Sequence, residues 1–234
     1  MDEPRRREEP RVAVLIPCFN EASTIADVVT EFRAVLPTAE IYVFDNNSTD
    51  RSLAEAAGVN AHIFREPSQG KGHVLQAMFR TVDADVYLLV DGDRTYSAQD
   101  ARSLLEPIVN GRADMVVGSR LHPDAVSDFN TLHRWGNRFF RFLVKLLFGI
   151  TVSDLLSGYR AFDRAIVRNI RLTSGGFQVE SELTIKAIRA GLRVVEAPVN
   201  LRRRPPGSRS KIQVRRDGLA ILGKILELRW RGDA

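Results

Sequence analysis

VYLLVDGD, residues 86–93, is an apolar run that ends abruptly in two acids flanking a glycine. Five consecutive apolar residues, Val86–Val90, read as a strand buried on both faces, as parallel strands are. Asp91 and Asp93 then fall at its carboxyl end, where two carboxylates one residue apart can face the same cleft. Such a pair also makes ordinary turns, so the triplet takes its meaning from what surrounds it.

Working outward, the same pattern recurs. Val12–Ile16 is a short apolar run followed by Pro17-Cys18-Phe19-Asn20-Glu21, and Ile41–Phe44 is followed by Asp45-Asn46-Asn47-Ser48-Thr49-Asp50. Between these runs the apolar spacing is helical: Ile25–Leu36 after a Ser23 cap, Arg51–Ala57 stopped by Gly58, and Gly72–Val82. Further strands are expected at Ala61–Phe64 and Met115–Val117, and a helix at Ala101–Val109. This βαβα order predicts an α/β fold, a mainly parallel sheet flanked by helices, in one domain. Ligands of such sheets bind at the carboxyl ends of the strands, where all three polar clusters lie.

The second half reads as helices at Leu132–Phe148, Phe162–Ile170 and Val179–Ala190, a strand at Val194–Val199, and a last amphipathic helix at Val214–Trp230. Residues 1–10 read as a disordered tail, 11–200 as the catalytic domain, and 201–234 as a basic loop with its helix. Of the formal charge of +5, residues 200–234 carry ten Lys/Arg against three Asp/Glu, or +7, which leaves the rest near −2. That concentration points to an anionic partner, a phosphate or a lipid headgroup surface. No nucleic-acid-binding motif accompanies it, so no nucleic-acid partner is expected; a non-catalytic basic module is the remote alternative.

Several classes are excluded. The single cysteine, Cys18, allows no internal disulfide. No run of 18 or more apolar residues predicts a spanning helix, and the charged first ten residues lack the apolar centre of a signal peptide. The expected location is cytoplasmic, at the cytoplasmic face of a membrane if a lipid is involved. No Gly-x-Gly-x-x-Gly follows the first strand, and Gly70-Lys71-Gly72 lacks the rest of a P-loop.

Taken together, Ile16–Glu21 (IPCFNE), Phe44–Asp50 (FDNNSTD), Gly70–Gly72 (GKG), Leu89–Asp93 (LVDGD) and Val116–Arg120 (VVGSR) resemble the second family of glycosyltransferases, with the GT-A fold. The resemblance implies a nucleotide-sugar donor, UDP- or GDP-linked, and a Mg²⁺ or Mn²⁺ ion at Asp93 with Asp91 assisting. It implies that Pro17, Asn20, Glu21, Asp45, Asn47, Lys71 and Asp91 surround the nucleotide. Many relatives carry two consecutive acids where this chain has Asp45-Asn46.

The acceptor is read from the second half. Family members that glycosylate sugar hydroxyls often carry Glu-Asp where this chain has Glu180-Ser181. A hydroxyl acceptor needs a base, whereas a phosphate, with a second pKa near 6, is already an oxyanion at neutral pH. Arg134–Asn137 (RWGN), Val152–Asp154, Ser157–Arg160 (SGYR) and Ser208–Ile212 (SRSKI) are similar to the dolichyl- and polyprenyl-phosphate branch. That similarity implies an inverting hexosyltransferase acting on a polyprenyl phosphate, with Arg120, Arg134, Arg160, Ser210 and Lys211 near the anionic groups. Arg160 could instead pair with Asp154 or Asp163. The alternative acceptor is a soluble hydroxyl compound, with Glu180 or Asp154 as base. Trp135, Phe139, Phe142 and Leu146 form one helical stripe edged by Arg134, Arg138, Arg141 and Lys145, consistent either with peripheral membrane contact or with packing on the core.

Overall fold

The computed structural model describes residues 10–121, 131–205, 208 and 210–230, with residues 131–135 described in their helical backbone alone. The expected tail therefore lies almost wholly outside the described residues.

Strand β1 (Val12–Cys18) lies inside a seven-stranded sheet with β2 (Glu40–Asp45), β3 (His62–Arg65), β4 (Val86–Leu89), β5 (Met115–Ser119), β6 (Arg160–Asp163) and β7 (Val194–Pro198), in the order β3-β2-β1-β4-β6-β5-β7. β1 pairs in parallel with β2 and β4, β2 with β3, and β5 with β7. β6 is antiparallel to both β4 and β5, and so runs against the rest of the sheet.

Successive residues of a strand point to opposite faces, and each face of this sheet has its own core. On one side Val14, Ile16, Leu88 and Val116 pack with residues of α1 (Ile25–Val35) and α4 (Ala101–Val109). On the other, Leu15, Phe44, Leu89 and Met115 meet α3 (Lys71–Thr81) and α7 (Val179–Arg189). α2 (Ser52–Gly58) adds Ala56 to the first of these cores and α6 (Arg164–Asn169) adds Ile166 to the second. A third cluster joins α5 (Thr131–Phe148), α7 and α8 (Val214–Trp230) through Phe140, Val144, Ile185, Ile221, Ile225 and Leu228.

Two sequence expectations are corrected. The segment read as a helix over residues 162–170 divides: Arg160–Asp163 is β6, and α6 begins only after Asp163, whose carboxylate accepts from the Ile166 amide at 3.1 Å. Four residues with a strand on either side gain their structure from pairing rather than from local periodicity. Ser23 does not cap α1. Thr24 occupies the cap position, makes no side-chain cap bond, and its hydroxyl donates to the Gly92 carbonyl at 2.8 Å. That bond ties the first helix to the Asp91–Asp93 turn.

Gly70 has φ +131°, and a Cβ at Gly72 would run into the Ser174 carbonyl. The start of α3 is thereby pressed against the 174–175 backbone, which brings Lys71 to the sheet rim. No described helix is long and apolar enough to cross a membrane.

Candidate functional site

The carboxyl ends of β1, β2 and β4 form one rim, and the turn after β4 projects from it. Within the turn Arg94 adopts φ +60° and is held outward by Asp27 and Glu31, at 2.5 and 2.7 Å. Asp93 faces inward. One of its oxygens accepts from the Thr95 amide at 3.0 Å and hydroxyl at 2.6 Å; the other meets the Arg204 guanidinium at 2.6 Å. Asp91 is bound by the Lys71 ammonium at 2.5 Å, and the same ammonium reaches Glu180 of α7 at 2.7 Å. Burial works against charge on Lys71, but Asp91 and Glu180 outweigh it and hold the ammonium's pKa above the usual lysine value. A side chain at Gly158 would collide with both Asp91 and Lys71, so the chain approaches them there with bare backbone.

Both aspartates border two adjoining cavities, of about 550 and 420 Å³. The larger, the more polar of the two, lies over β1 and β2 and is lined by Pro17, Glu21, Asn46, Gln69 and Lys211 among others. Asn46 is fully engaged there: its amide nitrogen donates to the Glu66 and Ser68 carbonyls at 2.9 and 2.8 Å, and its oxygen accepts from the Gly70 amide at 2.7 Å. An aspartate in its place would set an acceptor against two carbonyls, which is the physical reason for asparagine in this chain. Asp45, beside it, is buried and one of its oxygens has no protein partner. Burial raises the Glu21 pKa above its ordinary value, partly offset by Lys211 at 3.2 Å and the Ser208 hydroxyl at 3.0 Å. Cys18 also borders this cavity, but burial pushes its thiol up to about 12, so it is no nucleophile at neutral pH.

The smaller cavity lies between α5 and α8. Its far wall is apolar, with Phe140, Leu156 and Ile221, and its near wall carries Arg120, Tyr96 and Glu180. Arg120 is clamped by Asp154 in a two-pronged pair at 2.7 and 2.8 Å, and Asn137 donates to the same carboxylate at 2.8 Å.

The predicted residues therefore divide. Pro17, Glu21, Lys71, Asp91, Asp93, Arg120, Glu180, Ser210 and Lys211 all border the two cavities. Lys211 lies on the Glu21 side, donating to the Asn20 carbonyl at 3.0 Å, rather than beside Arg120. Asn20 and Asn47, both at positive φ, shape the rim instead: the Asn20 side chain accepts from the Thr49 amide at 2.8 Å, and Asn47 donates to the Pro67 carbonyl at 2.8 Å.

Two expectations fail on burial. Arg160 is wholly buried and donates to the Ser157 and Leu155 carbonyls and the Thr184 hydroxyl, at 2.8, 2.9 and 2.6 Å. It braces β6 against α7 and lines neither cavity. Asp154 is equally buried. Burial opposes its charge, but Arg120 overrides this and holds its carboxyl below the usual range. A carboxylate so held is a poor base. The Arg134 side chain lies outside the described residues. Arg204, Thr95 and Tyr96 were missed; only Arg204 carried a signal, as part of the basic Arg202–Arg204 run.

Asp91 and Asp93 are the residues that could hold a divalent cation. Among the described residues no third His, Cys, Asp or Glu completes a cluster with them. The donor set still suits Mg²⁺ or Mn²⁺, which commonly take one or two carboxylates and draw the remaining oxygens from substrate phosphates and water. A cation at Asp93 has to displace Arg204 or share the carboxylate with it.

Residues 13–171 match the sequence profile of Glycosyl transferase family 2. Glycosyltransferase AglJ of Haloferax volcanii is 38% identical over 88% of this chain and 68% of its own length. A dolichyl-phosphate hexose transferase of the same organism is 27% identical over 93% of each chain. The crystal structure of glucosyl-3-phosphoglycerate synthase from Mycobacterium tuberculosis, in complex with Mn²⁺, UDP and phosphoglyceric acid, superposes with a TM-score of 0.77 at 20% identity, covering 93% of this chain and 78% of that one. The expected GT-A-like α/β fold is the observed one.

Proposed function

The chain belongs to Glycosyl transferase family 2, and from that premise we propose that it moves a hexose, with inversion, from a nucleoside diphosphate to the phosphate of a polyprenyl phosphate. The observation that carries this reading is the meeting of two unlike cavities at Asp91 and Asp93, one of mixed lining and one more strongly apolar. Homologues, among them the dolichyl-phosphate hexose transferase, support the choice of acceptor.

In this reading the larger cavity takes the nucleoside against Pro17, Glu21 and Gln69, while Asp45, buried beside Asn46, lines neither cavity. The donor's diphosphate lies toward Asp91 and Asp93, which would hold the divalent cation. Such a cation, when bound, neutralises the charge that builds on the departing diphosphate. Arg204 and Lys211 supply positive charge from the 201–211 segment and bind or release phosphate oxygens as the donor enters and leaves.

The acceptor phosphate approaches from the apolar side, near Arg120. Glu180 is tied to Lys71 and Asp154 to Arg120, so both candidate bases are occupied by cations. A phosphate oxygen needs neither, since it reaches the anomeric carbon already ionised.

The test is transfer of radiolabelled hexose from UDP-, GDP- and dTDP-linked donors, with Mn²⁺ or Mg²⁺, to a short-chain prenyl phosphate and to a panel of soluble hydroxyl acceptors. Label appearing only on hydroxyl acceptors would sink the reading.

A further inference from the structure

α5 carries Arg134, Arg138, Arg141 and Lys145 and contains neither Asp nor Glu. Its inner face is fixed: Asn137, Phe140 and Val144 are buried, the last two packing in the cluster shared with α7 and α8. The opposite face is unlike that of an ordinary surface helix. Phe139, Phe142 and Leu146 are 53, 64 and 67% exposed. Their spacing of three and four residues places them on one stripe, and the exposed Arg138 and Lys145 flank it. Three large apolar side chains in a row, edged by cations and without an acid, are the pattern of a helix that lies flat in the headgroup region of a bilayer. The inner face of the same helix contributes Asn137 and Phe140 to the smaller cavity.

We propose that the Phe139–Phe142–Leu146 stripe of α5 docks this protein on an anionic lipid bilayer. The inference rests on the acceptor proposed above, because a polyprenyl phosphate resides in a membrane. Charge decides the occupant: two copies of this face would oppose cation to cation, whereas an anionic surface complements it. Docked in this way, one helix touches the bilayer on one side and walls the acceptor cavity on the other. The lipid phosphate then has a short path to Arg120 and the two aspartates.

The experiment is sedimentation of the full chain with vesicles of equal parts phosphatidylglycerol and phosphatidylcholine, and with phosphatidylcholine alone. The wild type is expected to pellet with the anionic vesicles and to weaken as salt rises. The triple variant Phe139→Ser, Phe142→Ser, Leu146→Ser is expected to lose pelleting by a factor of ten or so, and Lys145→Gln to weaken it roughly fivefold. All of these positions are exposed, so the melting temperature should hold. Wild-type protein that stays in the supernatant, or a triple variant that pellets as well as wild type, overturns the proposal. So does a wild-type dimer in sedimentation velocity that the triple variant dissolves. Transfer to a water-soluble short-chain prenyl phosphate without vesicles separates the two readings. A triple variant that keeps this transfer while losing vesicles supports docking; vesicle binding without transfer to any prenyl phosphate sinks the acceptor reading alone.

Discussion

Lys71 and Glu180 meet at 2.7 Å in the wall between the two cavities, and the same ammonium holds Asp91 at 2.5 Å. One cation thus balances two carboxylates drawn from different elements, the end of β4 and the first turn of α7. Lysine at this place reads from sequence as a nucleotide-phosphate ligand. Its geometry makes it first a strut that fixes where Asp91 points.

Lys71→Met removes that strut and leaves two carboxylates facing each other with little water. Breaking a buried pair from one side costs about 3–5 kcal/mol. Urea unfolding should show a loss of that order, and adding Glu180→Gln to the same chain should restore part of it. A Lys71→Met protein as stable as wild type would refute the strut.

Asp93→Asn keeps the shape of the side chain and the Thr95 contacts but removes the charge. Transfer should fall by about two to three orders of magnitude, the usual cost of losing one preorganised electrostatic contact in an active site. Circular dichroism should stay unchanged. Mn²⁺ binding followed by electron paramagnetic resonance in the presence of UDP should weaken in parallel.

Arg160 is expected to betray itself by stability rather than by substrate affinity. Arg160→Met strands the Ser157 and Leu155 carbonyls in the interior, at about 1–3 kcal/mol for each unsatisfied group, while the Thr184 hydroxyl keeps its bond to the Glu180 carbonyl. The melting temperature should drop by several degrees or more, while any folded fraction keeps a wild-type KM for donor.

Asp154 sets an acid limit. Its folded pKa lies below the ordinary 3.8, so its stabilising contribution is full above that value and is lost as pH falls through the lower, folded pKa. The stability gap between wild type and Asp154→Asn should be widest near neutrality and shrink in strong acid. A gap that grows on acidification would contradict the Arg120 clamp.

Cys18 has its thiol raised to about 12. Alkylation by iodoacetamide should therefore be slow in the folded protein, and its rate should still be climbing about tenfold per pH unit at pH 9.5, where an ordinary thiol of pKa about 8.5 has levelled off. Unfolding in urea should restore the usual rate.

Much of the first half of the chain was legible because its signals are local. The apolar runs before Pro17, Asp45 and Asp91 are long enough to be read as strands, and a parallel sheet obliges their polar ends to share a rim. The second half was less legible because its structure is made by partners far away in sequence. β6 exists through pairing with β4 and β5, and the arginine within it, Arg160, looks like its neighbour Arg120 until burial separates them. No periodicity tells which arginine of Gly-Ser-Arg or Gly-Tyr-Arg faces a cavity. The Asp93–Arg204 pair joins residues more than a hundred positions apart, so only the coordinates could disclose it.

The reversed direction of β6 makes it the antiparallel neighbour of β5. The excursion between Ser119 and Arg160 departs from the end of β5 and comes home to the start of β6, and these strands lie side by side, with Val117 opposite Arg160. Both stems of the excursion therefore emerge at the same place. Changes of length within the segment can therefore be absorbed without shifting the register of the strands on either side of it.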